Sequence, residues 1–393
     1  MVVTGAGIVS PMGMDFRENA NGFRAGRSAF SAVTLFDVSR QRVQTAGQID
    51  LPENGFPTRM DRGTRLAWLA AREALAQSGI SGKGMPMMVG TSAAAMPIGE
   101  DYYRAAHEHP EKRRAQLARV ETYQVQRQMA EMAKLLGVDG RIRIVSNACA
   151  SGANAIGQAF HLVRSGSAER VLAGGYDALC QLVFSGFDTL QALSPSGIPR
   201  PFDATRDGLA LGEGAGFIVV ESAASAKSRG ARILAEITGY GAATDIHHLT
   251  QPHPDGDAAL TTMHAACGMA GISPEQIDYI NSHGTGTPLN DVAEAHAIRR
   301  WAGDAVRNIR VSSTKSAIGH LLGGAGAVES VICLIALEEQ FLPASLHVRE
   351  ADAACAFDLV QEPRAAQVER TLTNSFGFGG ANATLVFQKE GLP

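Results

Sequence analysis

The sequence predicts an α/β fold in which one strand–helix–strand unit occurs twice. Three observations carry that expectation. Short apolar runs rich in Val and Ile alternate with longer stretches of helical periodicity. The second half echoes the first: Ile237-Thr238-Gly239-Tyr240-Gly241 repeats Val3-Thr4-Gly5-Ala6-Gly7, and Gly271-Ile272-Ser273 repeats Gly79-Ile80-Ser81. The composition, 45% hydrophobic and 19% charged over 393 residues, supports a large core in two domains or one duplicated one.

Val2 to Pro11 reads as a strand followed by a Gly-rich turn. Ser10 stands where a dinucleotide fingerprint needs its third glycine, and no Tyr-x-x-x-Lys occurs, so a nicotinamide site is not expected. Arg59 to Gly79 is a helix with Leu66, Leu69, Ala70 and Leu75 on one face. Met87 to Thr91 is a buried strand. Glu100 to Leu136, rich in charge, Gln and Met, reads as one or two surface helices of a cap over residues 100–140. Arg143 to Val145 is a strand, the next residues are small enough for a sharp turn, and an Ala-rich helix follows through Val163. Arg170 to Gly175 is a strand. Phe187 to Gly208, with three prolines, is a loop, and Gly212 to Gly216 leads into a strand over Phe217 to Glu221. In the second copy Tyr279 to Thr285 echoes Met88 to Thr91, and Arg310 to Ser316 echoes Ile144 to Ala150. A closing Gly-rich strand, Asn374 to Phe387, echoes the Gly174-Gly175 region. The halves are residues 1–232 and 233–393, with active-site residues expected from matching strand ends around one cleft.

The formal net charge of −4 gives no electrostatic case for nucleic acid. Five cysteines, odd in number, widely spaced and without a C-x-x-C, argue against a disulfide framework or a metal site and fit a reducing compartment. No basic leader and no run of about 18 apolar residues is present, so the expectation is a cytoplasmic protein without a membrane span.

Cys149 sits where strand gives way to helix. A thiol at a helix N-terminus feels the positive end of the dipole, which favours the nucleophilic thiolate. The alternative is a small buried hydrophobe, the usual state of a free cysteine. The position matching this turn in the second copy is Thr314 to His320, and the position matching Gly90-Thr91 carries His283. Either histidine alone reads equally as a surface or core residue. With Cys149, in duplicated frames, they form a candidate constellation.

The motifs Asn147-Ala148-Cys149-Ala150-Ser151-Gly152, Pro201-Phe202-Asp203 with Arg206-Asp207-Gly208, His283-Gly284-Thr285-Gly286-Thr287-Pro288, Lys315 through His320, and Asn374 to Asn382 occur in one order. Together they resemble the β-ketoacyl-acyl-carrier-protein synthases of the thiolase superfamily, elongating Cys-His-His type, over nearly the whole chain. The resemblance implies a duplicated α-β-α-β-α layered fold with mixed five-stranded sheets. It implies decarboxylative condensation of an acyl thioester on Cys149 with a malonyl-acyl-carrier protein. His283 and His320 would polarise the malonyl thioester. The backbone N–H groups of Cys149 and Phe378 would form the oxyanion hole, and Phe378 would act as a gate. Lys315 would pair with Glu329, and perhaps Glu294, as supporting charge. Thr285 and Thr287 would hold the phosphopantetheine arm of the carrier. No permanently bound cofactor or metal is implied. The implied partners are an acyl carrier protein and a second copy in a homodimer, with the Cys149 helix and the strand near Val171 close to the twofold; a heterodimer is the alternative. Arg59, Arg62 and Arg65 are candidates for carrier docking, against the alternative of a solvated helix face. The cap lacks the family's Pro-containing, Asn-rich pattern, although in this family the cap helps to line the acyl pocket. Asp139-Gly140-Arg141 stands where the family has Gly-Pro, which leaves both fatty acid and specialised polyketide or polyene synthesis open. The competing chemistries are a coenzyme A thiolase, which wants a second catalytic cysteine, and a chain-length subunit, which lacks the nucleophile.

Overall fold

A computed structural model describes residues 1–52, 54–57 and 60–392. The main strands are β1 (Val2–Val9), β2 (Met87–Gly90), β3 (Ile142–Val145), β4 (Arg170–Asp177), β5 (Gly214–Glu221), β6 (Ala235–Thr244), β7 (Tyr279–Asn281), β8 (Arg310–Ser312), β9 (Asp358–Leu359), β10 (Arg370–Phe376) and β11 (Ala381–Gln388). Among the described residues these eleven form one sheet in the order β9-β8-β7-β10-β11-β6-β1-β5-β4-β2-β3. Outward from the β1–β6 junction, the first half runs β1-β5-β4-β2-β3 and the second β6-β11-β10-β7-β8. The two five-stranded units share chain rank and strand direction at every step. The junction itself is short, Val2 opposite Glu236 and Val3 opposite Ala235.

The helices explain the layering. Helix α1 (Arg62–Ser78) covers β1 and β5 on one outer face. Helices α2 (Met96–Glu108), α3 (Leu117–Thr122) and α4 (Val125–Leu136) form the cap. Helix α5 (Ser151–Arg164) follows the nucleophile turn, and α6 (Gln181–Thr189) follows β4. Helices α7 (Asp257–Ala270) and α8 (Pro288–Ala302) cover the opposite outer face. After the one-turn helix α9 (Lys315–Ile318) comes α10 (Ala325–Glu339), apolar around its whole circumference and buried from Ala325 to Leu337. A helix of that kind has no solvent face, and α10 packs with α5 between the two half-sheets. The result is the α-β-α-β-α layering.

The glycine echo has a packing cause. Gly5 and Gly7 lie inside β1 rather than in a turn after it, because a Cβ at either would run into the carbonyls of Ala74 and Ala70 on α1. Gly239 and Gly241 stand in the same relation to Ala266 and Thr262 on α7. Each outer helix thus lies flush on its central strand, which a side chain would prevent. The end of each helix repeats too: Gly79 at φ +67° and Gly271 at φ +71° take the left-handed C-cap that glycine accepts without strain.

One expectation changes. Asn374 to Phe387 is not one strand but the end of β10, a turn at 377–380 and most of β11, since the glycines there reverse the chain. The strand near Val171, β4, is flanked by β5 and β2, so it has no free edge; the exposed edge of this half is β3.

Candidate active site

The chain leaves β3 at Val145 and must turn sharply to enter α5 at Ser151. Ala148 absorbs the turn at φ +54°, a conformation few residues with a Cβ adopt and one that often marks a functional site. Ser151 holds it, its Oγ accepting from the Asn147 N–H at 2.9 Å, while Ser92 Oγ donates to the Ala148 carbonyl at 2.8 Å. Cys149 emerges just before the helix, 8% exposed.

The second half brings the matching turn to the same place. Gly319, at φ +82°, lets the chain pass against Leu211, so that the His320 N–H donates to the Ala210 carbonyl at 2.7 Å and its carbonyl accepts from Gly212 at 3.0 Å. His320 Nε2 then lies 2.9 Å from Cys149 Sγ. His283 follows β7, held by Glu294, whose two oxygens accept the N–H groups of His283 at 2.8 Å and Gly284 at 2.7 Å. The two imidazole rings are 5.3 Å apart and nearly perpendicular. Cys149, His283 and His320 therefore meet, as the repeat suggested.

Electrostatics correct one expectation. Burial pushes the Cys149 thiol up to about 12, against the pull of Lys315 and a hydrogen bond from the Phe378 N–H. Burial thus opposes the thiolate that a helix N-terminus favours. Burial, reinforced by Lys315, holds His283 and His320 well below the ordinary histidine value, so both are neutral and each carries one ring N–H.

Lys315 forms a buried ion pair with Glu329, both side chains 2% exposed. Burial lifts Glu329 to about 7 although Lys315 pulls it down. Glu294 is not part of this pair. It accepts the backbone N–H groups just described and the Asn374 amide at 3.1 Å, and burial raises it to about 7. Its role is to hold the His283 turn.

Phe378 is 41% exposed and stacks on Phe187 of α6, ring centres 5.8 Å apart. Gly377 keeps the strand end close to the nucleophile: a Cβ there would sit 3.0 Å from the Cys149 nitrogen. The turn is tied to residues 245–249 by Gly379 N–H to Leu249 O at 2.7 Å and Asp245 N–H to Gly380 O at 2.8 Å. A cavity of about 410 Å³ is lined by Cys149, His283, His320, Thr285, Thr287 and Phe378. The two threonine hydroxyls are 2.8 Å apart. Of the five cysteines, Cys149 alone lines this cavity among the described residues. No residue of the cap lines this cavity. Met129, Met132 and Ala133 of α4 pack instead into the outer core with α1.

Arg62 and Arg65 of the arginine cluster do not share one setting. Arg62 is held by the fully buried Glu213, with bonds of 2.8 and 2.6 Å, and by the Ile49 carbonyl. A buried carboxylate demands such a partner, so this guanidinium is engaged with Glu213. Arg65 lies over the Phe56 ring at 5.0 Å and donates to the Met60 carbonyl. Arg59 lies outside the described residues.

Sequence reasoning missed Asp177. At the end of β4 it accepts Thr91 Oγ1 at 2.6 Å and the N–H groups of Ser92, Ala93, Ala94 and Gly323, joining the loop after β2 to the loop after His320. A carboxylate closing an otherwise buried apolar strand was the available signal. Phe187 gave none, being one aromatic in an apparent loop.

Residues 1–226 match the family described as "Beta-ketoacyl synthase, N-terminal domain", and 234–349 the one described as "Beta-ketoacyl synthase, C-terminal domain". A 3-oxoacyl-[acyl-carrier-protein] synthase 2 of Synechocystis sp. is 36% identical, covering 99% of this chain and 98% of that protein. One of the same name from Staphylococcus aureus is 35% identical with the same coverage. Among solved structures, the ishigamide ketosynthase/chain length factor has a TM-score of 0.93 at 34% identity over 99% of both chains. A type II PKS ketosynthase, bound to a hexaketide and in complex with its acyl-carrier protein, has 0.89 at 28%, covering 99% of this chain and 98% of that one.

Proposed function

The chain belongs to the β-ketoacyl synthase family, and from that footing we propose that it is an acyltransferase of the 3-oxoacyl-acyl-carrier-protein synthase class. It condenses an acyl group carried on Cys149 with malonyl-acyl-carrier protein, in fatty acid or polyketide assembly. The observation that carries this reading is the 2.9 Å approach of His320 Nε2 to Cys149 Sγ at the floor of a cavity that His283 also lines.

In the first half-reaction Cys149 attacks the acyl thioester carbonyl. Its proton passes to His320 Nε2 and from there to the departing carrier thiolate, so a C–S bond forms as another breaks. The buried thiol gives up its proton only as the attack proceeds. The tetrahedral oxyanion is met by the N–H groups of Cys149 and Phe378, donors already fixed in place. In the second half-reaction the malonyl thioester oxygen accepts from the ring N–H of His283 and, once the His320 ring proton has exchanged onto Nε2, from that of His320. The bond to the carboxylate breaks, CO₂ leaves, and the enolate carbon attacks the acyl-Cys149 carbonyl. The sulfur is expelled and takes up a proton from solvent, replacing the one that left with the first carrier, and a 3-ketoacyl thioester remains on the second. Neutral imidazoles suit this step, since each donates without bringing a charge that would hold the carboxylate.

Thr285 and Thr287, which line the same cavity, would bind the carrier's phosphopantetheine arm. Phe378 would swing from Phe187 to admit the second substrate. We divide the chain into halves at 1–232 and 233–393, and place it in the cytoplasm on its cysteine usage. Among the described residues no helix is long and apolar enough to cross a membrane. The thiolase alternative needs a second cysteine at the cavity, and the chain-length alternative needs no nucleophile; Cys149 standing alone there favours neither.

Intact-mass analysis tests the reading. Wild type incubated with acyl carrier gains one acyl group, and Cys149→Ala gains none. His320→Ala still releases the carrier thiol slowly but loses CO₂ release from malonyl carrier. Normal condensation by Cys149→Ala would overturn the assignment.

A further inference from the structure

One carboxylate stands behind both reacting turns. Asp177 is fully buried. Its Oδ1 accepts from Thr91 Oγ1 at 2.6 Å, the Ala93 N–H at 2.9 Å and the Ala94 N–H at 3.0 Å. Its Oδ2 accepts from the Ser92 N–H at 2.9 Å and the Gly323 N–H at 2.7 Å. Every partner is a donor. That arrangement suits a carboxylate, which only accepts, and not its acid, which must also donate.

Three strained turns are tied to this group. Ala94 at φ +45°, Ala148 at φ +54° and Leu322 at φ +51° occupy the left-handed region although each carries a Cβ. Such conformations persist only where the surroundings over-determine them. Ala94 is bonded to Asp177 directly. Leu322 is followed by Gly323, whose N–H Asp177 holds. Ala148 is reached in one further step, because Ser92 donates through its Oγ to the Ala148 carbonyl at 2.8 Å. Gly323 lets the two loops come this close, since a Cβ there would sit 2.5 Å from the Ser92 nitrogen. One arm therefore ends at the residue before Cys149, and the other ends three residues after His320. None of Asp177, Ser92 and Gly323 lines the cavity.

We propose that Asp177 is a positioning residue for the condensing reaction: its carboxylate locks the turns of Cys149 and His320 to one another and so sets the sulfur–nitrogen approach that acyl transfer uses. An amide of the same shape does not replace it, because its NH₂ would face N–H donors. His320 has a second anchor on its other side, at Ala210 and Gly212, so the Cys149 arm depends on Asp177 the more. The inference rests on the condensing chemistry proposed above and adds to it a residue that touches no substrate.

Asp177→Asn and Ser92→Ala in the full chain test it, with acyl transfer to Cys149 followed by intact mass and CO₂ release from malonyl carrier measured separately. Asp177→Asn loses about 10²-fold in acyl transfer and about tenfold in CO₂ release, the scale of a displacement near 1 Å, with KM for the carrier unchanged because the cavity lining is intact. Ser92→Ala cuts the Cys149 arm alone: acyl transfer falls by about fivefold to tenfold, the worth of one neutral hydrogen bond, and CO₂ release is unchanged. A general loss of stability would not split the two reactions. Nor does lost charge imitate the result, since the Asp177 carboxylate helps to push the Cys149 thiol up and its neutralisation alone would ease attack. Crystal structures of the variants supply a readout that needs no activity: the Sγ–Nε2 separation opens from 2.9 Å to beyond about 3.5 Å. Failure of the condensing reading would appear instead in wild type, as no acyl group gained. Wild-type acyl transfer by Asp177→Asn overturns the proposal, and so does an unchanged separation. So does a Ser92→Ala variant that slows both reactions equally, or neither; this arm decides alone if Asp177→Asn does not fold.

Discussion

Replacing Lys315 by Met is the most informative perturbation of the buried charge system. The ammonium and the Glu329 carboxylate are each 2% exposed, and the second Glu329 oxygen has no hydrogen-bond partner among the described residues. Removing one member of such a pair costs about 3–5 kcal/mol when the other stays charged. Glu329 has an escape, since burial already holds it at about 7 and Lys315 is what pulls it down. Without the lysine its proton affinity rises further. Its unfolded value is 4.5, so the folded state binds the extra proton and wild-type stability falls as pH rises from there through about 7. In Lys315→Met the decline continues to higher pH. Urea unfolding at mildly acid and mildly alkaline pH should show a small loss in acid and the full loss of several kcal/mol in alkali. The same lysine depresses His283 and His320. Its removal moves the acid limb of the condensation rate profile to higher pH, because the imidazoles protonate sooner. An equal stability loss at both pH values, or an unmoved acid limb, would refute the account of the pair as a tuner of nearby protonation.

Three further outcomes follow from single contacts. Gly377→Ala places a methyl 3.0 Å from the Cys149 nitrogen; the acyl-transfer rate should fall by about 10²–10³, as when an oxyanion donor is lost, with unchanged secondary structure by circular dichroism. Arg62→Met strands Glu213 in the core and should cost about 3–5 kcal/mol in denaturant unfolding, whereas carrier affinity measured at a permissive temperature should not change. Phe187→Ala removes the stacking partner of Phe378; by freeing the gate it should alter KM for malonyl carrier more than the rate of acyl-enzyme formation, measured by stopped-flow and intact mass.

The repeat was the legible part of the sequence, because it rests on local chemistry. Gly79 and Gly271 announced two helix ends, and the segments before His283 and Cys149 announced two strand ends, each within a few residues. Once the frames were aligned, the meeting of Cys149, His283 and His320 followed from topology. What failed was long-range or depended on burial. Helical spacing presents Arg62 as a surface charge, and nothing nearby discloses that Glu213 waits 151 positions away. Gly5 and Gly7 read as a turn because their reason for being glycine lies on α1, not beside them. The thiolate expected of Cys149 followed from its place before a helix; its depth in the fold, invisible in a linear pattern, decided otherwise. Phe378 and Glu329 were reachable only through likeness to a known family.

The two backbone bonds between 377–380 and 245–249 have a mechanical corollary. Neither involves a side chain, so no substitution that leaves the chain path intact uncouples the segments. A backbone displacement of 377–380 that preserves them carries 245–249 along, so the two neighbouring segments move as one flap.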